Sequence, residues 1–278
     1  MRPVLLVDAN YLCHRARWTT GDLSYKGRKT GIVFGFLNQV HQLATEIAPS
    51  NVVFVWDSQQ SLRKERFPFY KEHRRSQPDP EAALHYAQFN DLRENILPQM
   101  GFVNNFRQEG YEADDVIAAI CQAAAFPSII ASSDEDLLQL LSQDTSMYNL
   151  GKKSMVTYRD FRKEKGIHPK RWVEVKKIAG CSTDCVPGVP GVGEKTALLY
   201  LRGKLGPTSK KTADIEANKE LIARNDWLVR LPLPGTERPE VRDNNFSKAE
   251  LVKVCKEYGF TKFINNAAFL DDWEIYFS

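Results

Sequence analysis

Three short apolar runs lead into an aspartate: Val4–Val7 before Asp8, Val52–Trp56 before Asp57, and Ser128–Ala131 shortly before Asp134. A second acidic group, Glu112, Asp114 and Asp115, opens a stretch with helical apolar spacing, and Asp136 follows Asp134 by two residues. Two carboxylates about 5 Å apart repel by roughly 3 kcal/mol at an effective dielectric near 20. Gathered in one cleft, such groups must take up protons or hold cations. All-oxygen donors suit Mg²⁺ or Mn²⁺ rather than Zn²⁺, and divalent ions between carboxylates suit phosphoryl chemistry. Any one of these aspartates alone reads as a helix cap or a solvated turn. Three of them at strand ends, with Glu-x-Asp-Asp and Asp-x-Asp, outweigh that reading.

To meet, these side chains need a sheet. Short runs rich in Val and Ile between polar residues read as buried strands. If the strands are parallel, their carboxyl ends share one edge, where α/β folds place ligand sites. The expected fold is therefore α/β: a central, mostly parallel sheet flanked by helices over residues 1–158, then a helical region over 159–278. Helices are predicted over 32–47, 81–97 and 112–125, and a short one over 137–141 capped by Ser133 or Asp134. Strands are predicted over 102–106 and 128–131, with two more segments around Gly151-Lys152-Lys153, while 21–31 reads as a polar loop.

The segment 58–80 follows the Asp57 strand end and is basic. Arg63, Lys64, Arg66, Lys71, Arg74 and Arg75 stand against Glu65 and Glu72, interleaved with Phe67, Phe69 and Tyr70. Pro68 limits it to short helical pieces. Most charge runs are solvated faces, but interleaved aromatics favour a single strand whose bases stack and whose phosphates pair. The net charge of +3 decides nothing by itself; this local concentration suggests an anionic polymer lying across the acidic edge.

With 42% hydrophobic and 26% charged residues, the chain has the composition of an ordinary globular protein with apolar mass for a core. No apolar run approaches the roughly 20 residues that span a bilayer, and the N-terminus enters a strand directly, with no secretory signal. Five scattered cysteines, an odd and unpatterned count, suit reduced thiols in a cytoplasm. Cys181 and Cys185 lack the second pair that a structural zinc site needs.

In the helical region, helices over 172–179 and 194–200 flank Gly180–Gly193. Gly188, Gly191 and Gly193 allow close backbone approach, and Pro187 and Pro190 stiffen the loop. Its amides and the following helix start form a phosphate seat. Lys195, Arg202, Lys204, Lys210 and Lys211 add charge that positions a backbone without reading bases. A dinucleotide site is disfavoured, since the loop lies between helices rather than after a strand.

Together these residues resemble the 5′-nuclease family: the exonuclease domain of bacterial DNA polymerase I, the stand-alone phage 5′-3′ exonucleases and the flap endonucleases. The resemblance is carried by Val-Asp-Ala-Asn at Asp8, the Asp57 strand end, Leu-Arg-x6-Tyr-Lys-x-x-Arg from Leu62 to Arg74, and Tyr-Glu-Ala-Asp-Asp-Val around Glu112 to Asp115. Ser-Asp-Glu-Asp-Leu-x-Gln-Leu around Asp134 and Val-Pro-Gly-Val-Pro-Gly-Val-Gly-x-Lys-Thr-Ala from Val186 to Ala197 complete it.

The resemblance implies a metal-dependent, structure-selective 5′ nuclease with a two-metal site for Mg²⁺ or Mn²⁺. It assigns Asp8, Asp57, Glu112, Asp114, Asp115 and Asp134 to the first cation, directly or through water, and Asp136 and Asp184, with Asp134 between, to the second. Asp114 and Asp115, adjacent on a helix, point about 100° apart, so one of them is expected to act only through water. It makes 58–80 a helical arch, with Arg63 on DNA and with Tyr70, Lys71 and Arg74 at its base acting on the scissile phosphate. It makes 172–205 a helix-hairpin-helix element gripping duplex DNA through Gly188, Gly191, Gly193 and Lys195. A K⁺ there would sit on the carbonyls of Val186, Val189 and Val192. The implied substrates are 5′ flaps, 5′ ends and junctions, and the implied state is a monomer off the membrane, with a separate DNA polymerase as a partner.

The chain departs from the family pattern at one place. Where the family has Asp-x-x-Asp-Asn, this chain has Cys181, Ser182, Thr183, Asp184 and Cys185. A thiol is a poor ligand for hard Mg²⁺, so the second cation is expected to bind weakly, prefer Mn²⁺ or depend on the substrate phosphate. Two other readings stay open: a junction-binding protein with weak or lost nuclease activity, and a ribonuclease on a related acidic α/β fold.

Overall fold

The computed structural model describes residues 2–75, 80–123 and 126–277, with backbone alone at 74 and 75. Six strands form one sheet: β1 (Val4–Asp8), β2 (Asn51–Trp56), β3 (Asn105–Arg107), β4 (Ser128–Ser132), β5 (Thr145–Asn149) and β6 (Ser154–Val156). Their order is β3-β2-β1-β4-β5-β6, and every neighbouring pair is parallel except β5 and β6. This is the mostly parallel α/β sheet expected from the sequence.

Strand side chains alternate between faces, and both faces of this sheet are covered. Leu5, Val7, Val52, Phe54 and Trp56 pack with the Ala9–Thr20 and Gly31–Ile47 helices. Val4, Leu6, Val53, Val55 and Ile130 pack on the other side with the Ala113–Ala123 and Trp172–Ala179 helices. Every residue of β1 is buried as a result. At roughly 1.5–3 kcal/mol for each fully buried Val or Leu side chain, the register of β1 is strongly held, and with it the position of Asp8.

Local structure departs from expectation in three places. The strand expected over 102–106 begins only at Asn105, because the Phe102 N–H closes the preceding helix on the Leu97 carbonyl at 3.0 Å. The Phe102 ring instead joins Phe54, Phe246 and Phe277 in the core. The polar loop over 21–31 contains a small hairpin, Ser24–Tyr25 against Arg28–Lys29. The helix expected over 81–97 runs as Ala82–Asp91, a π-helical turn at Leu92–Ile96 and a last turn at Leu97–Gln99.

Beyond Ser209 the chain is helical up to Val229 and again from Lys248, with a non-helical connection over 230–247. The Ala267–Phe277 helix returns to the sheet through Phe269, Trp273 and Phe277. Between the Trp172–Ala179 and Glu194–Leu201 helices, Gly180–Cys181 pairs antiparallel with Val186–Pro187. No helix among the described residues is long and apolar enough to cross a membrane.

Candidate metal centre

The carboxyl ends of β1, β2 and β4 converge on a cavity of about 320 Å³. Asp8, Asp57, Glu112, Asp114 and Asp134 line it, with Asn10, Tyr11, His14 and Lys71 around them. Three of the aspartates are also caps or turn braces. Asp8 ends β1, accepts the Tyr11 N–H at 2.9 Å through Oδ1 and the Ser132 hydroxyl at 3.0 Å through Oδ2. Asp57 Oδ1 accepts the Ala113 N–H at 2.8 Å, and its own N–H donates to Asn10 at 3.1 Å. Asp134 Oδ1 accepts the Asp136 N–H at 2.8 Å and caps the Glu135–Leu140 turn. The cap reading and the site reading thus describe the same side chains, because capping fixes where each carboxylate points.

Their mutual repulsion shows in their acidity. Burial, then Asp57 and Asp134, push Asp8 up from 3.8 to about 7. Burial and the charges of Asp134, Asp8 and Asp57 hold Asp114 well above the usual range, with Lys71 pulling the other way. Glu112 moves oppositely: burial works to raise it, but Lys71, Arg63 and a hydrogen bond from Tyr70 bring it down to about 2. Lys71 Nζ stands 2.9 Å from Glu112 Oε1 and 3.8 Å from Asp184 Oδ2. The Tyr70 hydroxyl lies 3.0 Å from Glu112 Oε2 and 3.4 Å from Asp184 Oδ2. Lys71 has φ +53, and its N–H is tied to the Asp184 carbonyl at 2.9 Å. A non-glycine backbone held in that left-handed region costs about 1–3 kcal/mol and persists only where its surroundings impose it.

Beside this cavity lies a second cluster. Donor atoms of Asp136, Cys181 and Asp184 lie within 4.8 Å of one another. Burial and Asp134 push Asp136 up to about 6, against the nearby Lys176 ammonium, which stands 3.0 Å from Asp136 Oδ1.

Two expected site residues are placed elsewhere. Asp115 has no exposure and faces away from the cavity, where Arg63 grips it with two hydrogen bonds of 2.5 and 2.8 Å. Arg63, expected on DNA, is itself only 2% exposed and also donates to the carbonyls of Leu228 and Arg230. Adjacent helix residues point about 100° apart, so Asp114 takes the cavity and Asp115 the core. The Arg74 side chain, and the arch over 76–79, lie outside the described residues.

In the loop before Glu194, a Cβ on Gly188 would stand 2.1 Å from the Ala179 carbonyl oxygen, so only glycine fits there. Gly191 has φ +69, Gly193 is open, and Lys195 is exposed. Val186, Val189 and Val192 bury their side chains, and the Val189 carbonyl accepts the Val192 N–H at 2.9 Å. Sequence reasoning passed over Asn10, Ser132 and Lys176. Asn10 sits inside the Val-Asp-Ala-Asn motif and Ser132 just before the Ser-Asp-Glu-Asp motif, so a polar neighbour of a strand-end aspartate was the available signal; Lys176 left none.

The oxygen donors of the main cavity, with Asp8 and Asp114 pushed up by burial and by neighbouring carboxylates, fit hard divalent cations such as Mg²⁺ or Mn²⁺. The fold places the chain among α/β proteins with an acidic pocket at the carboxyl end of a parallel sheet. It belongs to the 5′-3′ exonuclease family: the model of the 5′-3′ exonuclease, N-terminal resolvase-like domain, matches residues 3–166. The chain is 31% identical to DNA polymerase I of Bacillus caldotenax, covering 95% of this chain and 32% of that protein. It is 28% identical to a 5′-3′ exonuclease of Buchnera aphidicola, covering 89% of this chain and 82% of the relative. Against DNA polymerase I of Mycobacterium tuberculosis it is 29% identical and spans 29% of that protein's length. In fold it resembles the T5 D15 protein co-crystallised with metal ions, at a TM-score of 0.69 and 22% identity over 99% of both chains.

Proposed function

We propose that the chain is a divalent-metal-dependent 5′ nuclease, a 5′-3′ exonuclease and flap endonuclease acting on DNA near 5′ single-strand/duplex junctions. The convergence of Asp8, Asp57, Asp114 and Asp134 on one cavity, with Lys71 on its rim, carries this reading. Mg²⁺ or Mn²⁺ held there would neutralise the scissile phosphodiester and lower the pKa of a water. Asp8, Asp57, Asp114 and Asp134 hold the cations, and Glu112, kept anionic by its neighbours, orients Lys71. Lys71, with Arg74 assigned beside it, stabilises negative charge developing on the phosphate. Tyr70 braces Glu112 and Asp184 and excludes water from that side.

In this reading Gly188, Gly191, Gly193 and Lys195 seat the duplex backbone, with a K⁺ on the carbonyls of Val186, Val189 and Val192. The chain works as a monomer in a cytoplasm, alongside a DNA polymerase. The test is cleavage of a labelled 5′-flap DNA with Mg²⁺ or Mn²⁺. Chelator and Asp134→Ala should each abolish it, and full activity of Asp134→Ala would overturn the reading. Cys181 favours a second reading, a junction binder with little turnover. Tight flap binding without cleavage in either metal, with cleavage restored by Cys181→Asp, would support it.

A further inference from the structure

We infer that Asp136, Cys181 and Asp184 form a mixed oxygen–sulfur cation site that takes a thiophilic divalent ion, of which Zn²⁺ is the type, in preference to Mg²⁺. The inference rests on the sheet edge being a metal centre and goes further by assigning the ion class of its second position.

The donor set decides the class. Thiolates select soft or borderline ions, whereas Mg²⁺ demands oxygen in near-octahedral geometry. All three donor atoms lie within 4.8 Å of one another. A tetrahedral Zn²⁺ with donors at about 2.0–2.3 Å needs them roughly 3.3–3.8 Å apart, a separation that side-chain rotation can reach. Asp136 and Asp184 are buried and Cys181 is half-buried, so the site opens on the cysteine side. Three protein donors and one open side are the arrangement of an exchangeable zinc position rather than a closed structural one.

The surroundings are consistent with a bound dication. Thr183 Oγ1 lies 3.0 Å from Cys181 Sγ, close enough to donate to a thiolate. The Asp184 carboxylate is oriented by the Tyr70 hydroxyl at 3.4 Å. Lys176 Nζ, 3.0 Å from Asp136 Oδ1, occupies part of the space with its own positive charge. Glu135 Oε2, 3.9 Å from the same ammonium, offers it an alternative partner when it yields to an ion. Two carboxylates and a thiolate carry three negative charges, so a dication and the retained lysine balance them. Cys181 gives up its thiol proton to solvent as it binds.

Cobalt is the probe, since a thiolate bound to Co²⁺ absorbs in the near ultraviolet and a carboxylate does not. Titrating the full chain with Co²⁺ at neutral pH should produce that absorption in wild type and in Cys185→Ser, and not in Cys181→Asp or Cys181→Ser. Zn²⁺ should displace the cobalt, Mg²⁺ should not, and Cys181→Asp should weaken Zn²⁺ by at least about tenfold. Absorption that is absent from wild type, or that persists in Cys181→Asp, overturns the site, as does equal competition by Mg²⁺. Flap cleavage without the absorption sinks this inference and leaves the nuclease reading standing. The absorption without flap cleavage does the reverse.

Discussion

Asp114 and Asp115 are neighbours on one helix and live in opposite environments. Asp115 is fully buried, yet every demand of its charge is met: two hydrogen bonds from Arg63, one from the Leu233 N–H at 2.8 Å and one from the Glu112 N–H at 3.2 Å. Asp114 faces the cavity, where burial and then Asp134, Asp8 and Asp57 raise its pKa against the pull of Lys71. An acid whose charge is answered within the fold belongs to the structure. An acid whose charge is opposed by other acids waits for something the chain does not contain. The Arg63–Asp115 pair also ties the Leu62–Arg66 helix at the base of the basic segment to the helix that carries Asp114.

The largest effect should come from breaking the answered charge. Asp115→Ala removes the bidentate partner of a buried guanidinium, leaving it the more distant Glu112 carboxylate at 3.5 Å, and should cost about 3–5 kcal/mol of stability, read from urea unfolding. Replacing both partners, Arg63→Met with Asp115→Leu, should cost less than Asp115→Ala alone. If the double variant is the worse of the two, the pair is not acting as a unit. Asp114→Asn should do the opposite. Flap cleavage should fall by roughly 10²–10³-fold, about 3–4 kcal/mol at the transition state, with no loss of stability. A cleavage rate near wild type would move Asp114 out of the metal centre. A smaller contrast of the same kind lies in the glycine loop. Gly188→Ala forces a Cβ against the Ala179 carbonyl and should cost about 1–3 kcal/mol. Gly193→Ala meets nothing and should cost less than about 1 kcal/mol.

The sheet and the meeting of its acidic ends were legible in the sequence because both follow from local pattern. Apolar runs of strand length end in Asp8, Asp57 and shortly before Asp134, and parallel pairing brings such ends together. That Asp114 and Asp115 point apart was legible too, from the helical step of about 100°, but which of them turns inward was set by a long-range partner. Arg63 lies in a basic run that reads as a solvated face, and nothing local tells that it turns inward to Leu228, Arg230 and Asp115. Lys176 escaped for the same reason: its spacing marks a helix face, while its contact with Asp136 depends on how that helix packs on the Glu135–Leu140 turn. The strand expected at Phe102 failed because a buried aromatic has the same signature in a strand and at a helix end.

The contrast between answered and opposed charge can be read without any substrate. In metal-free protein, Asp8 is raised from 3.8 to about 7 and Asp136 to about 6. A carboxyl with a raised pKa binds its proton more tightly folded than unfolded. Its contribution is therefore present at low pH and lost as pH rises from 3.8 towards 7. Glu112 has the opposite sign, but it is lowered to about 2, so its contribution is lost only well below the range of interest. Chelated protein should therefore melt higher at pH 5.5 than at pH 8, by about 2–4 °C for each kcal/mol. Mn²⁺ should cancel the difference by raising the midpoint at pH 8 more than at pH 5.5, since the ion binds the deprotonated carboxylates. Asp114→Asn, which removes one of the opposed charges, should shrink the gap in chelated protein. A metal-free midpoint that climbs steadily from pH 5.5 to 8 would mean that the strand-end acids are answered within the fold after all.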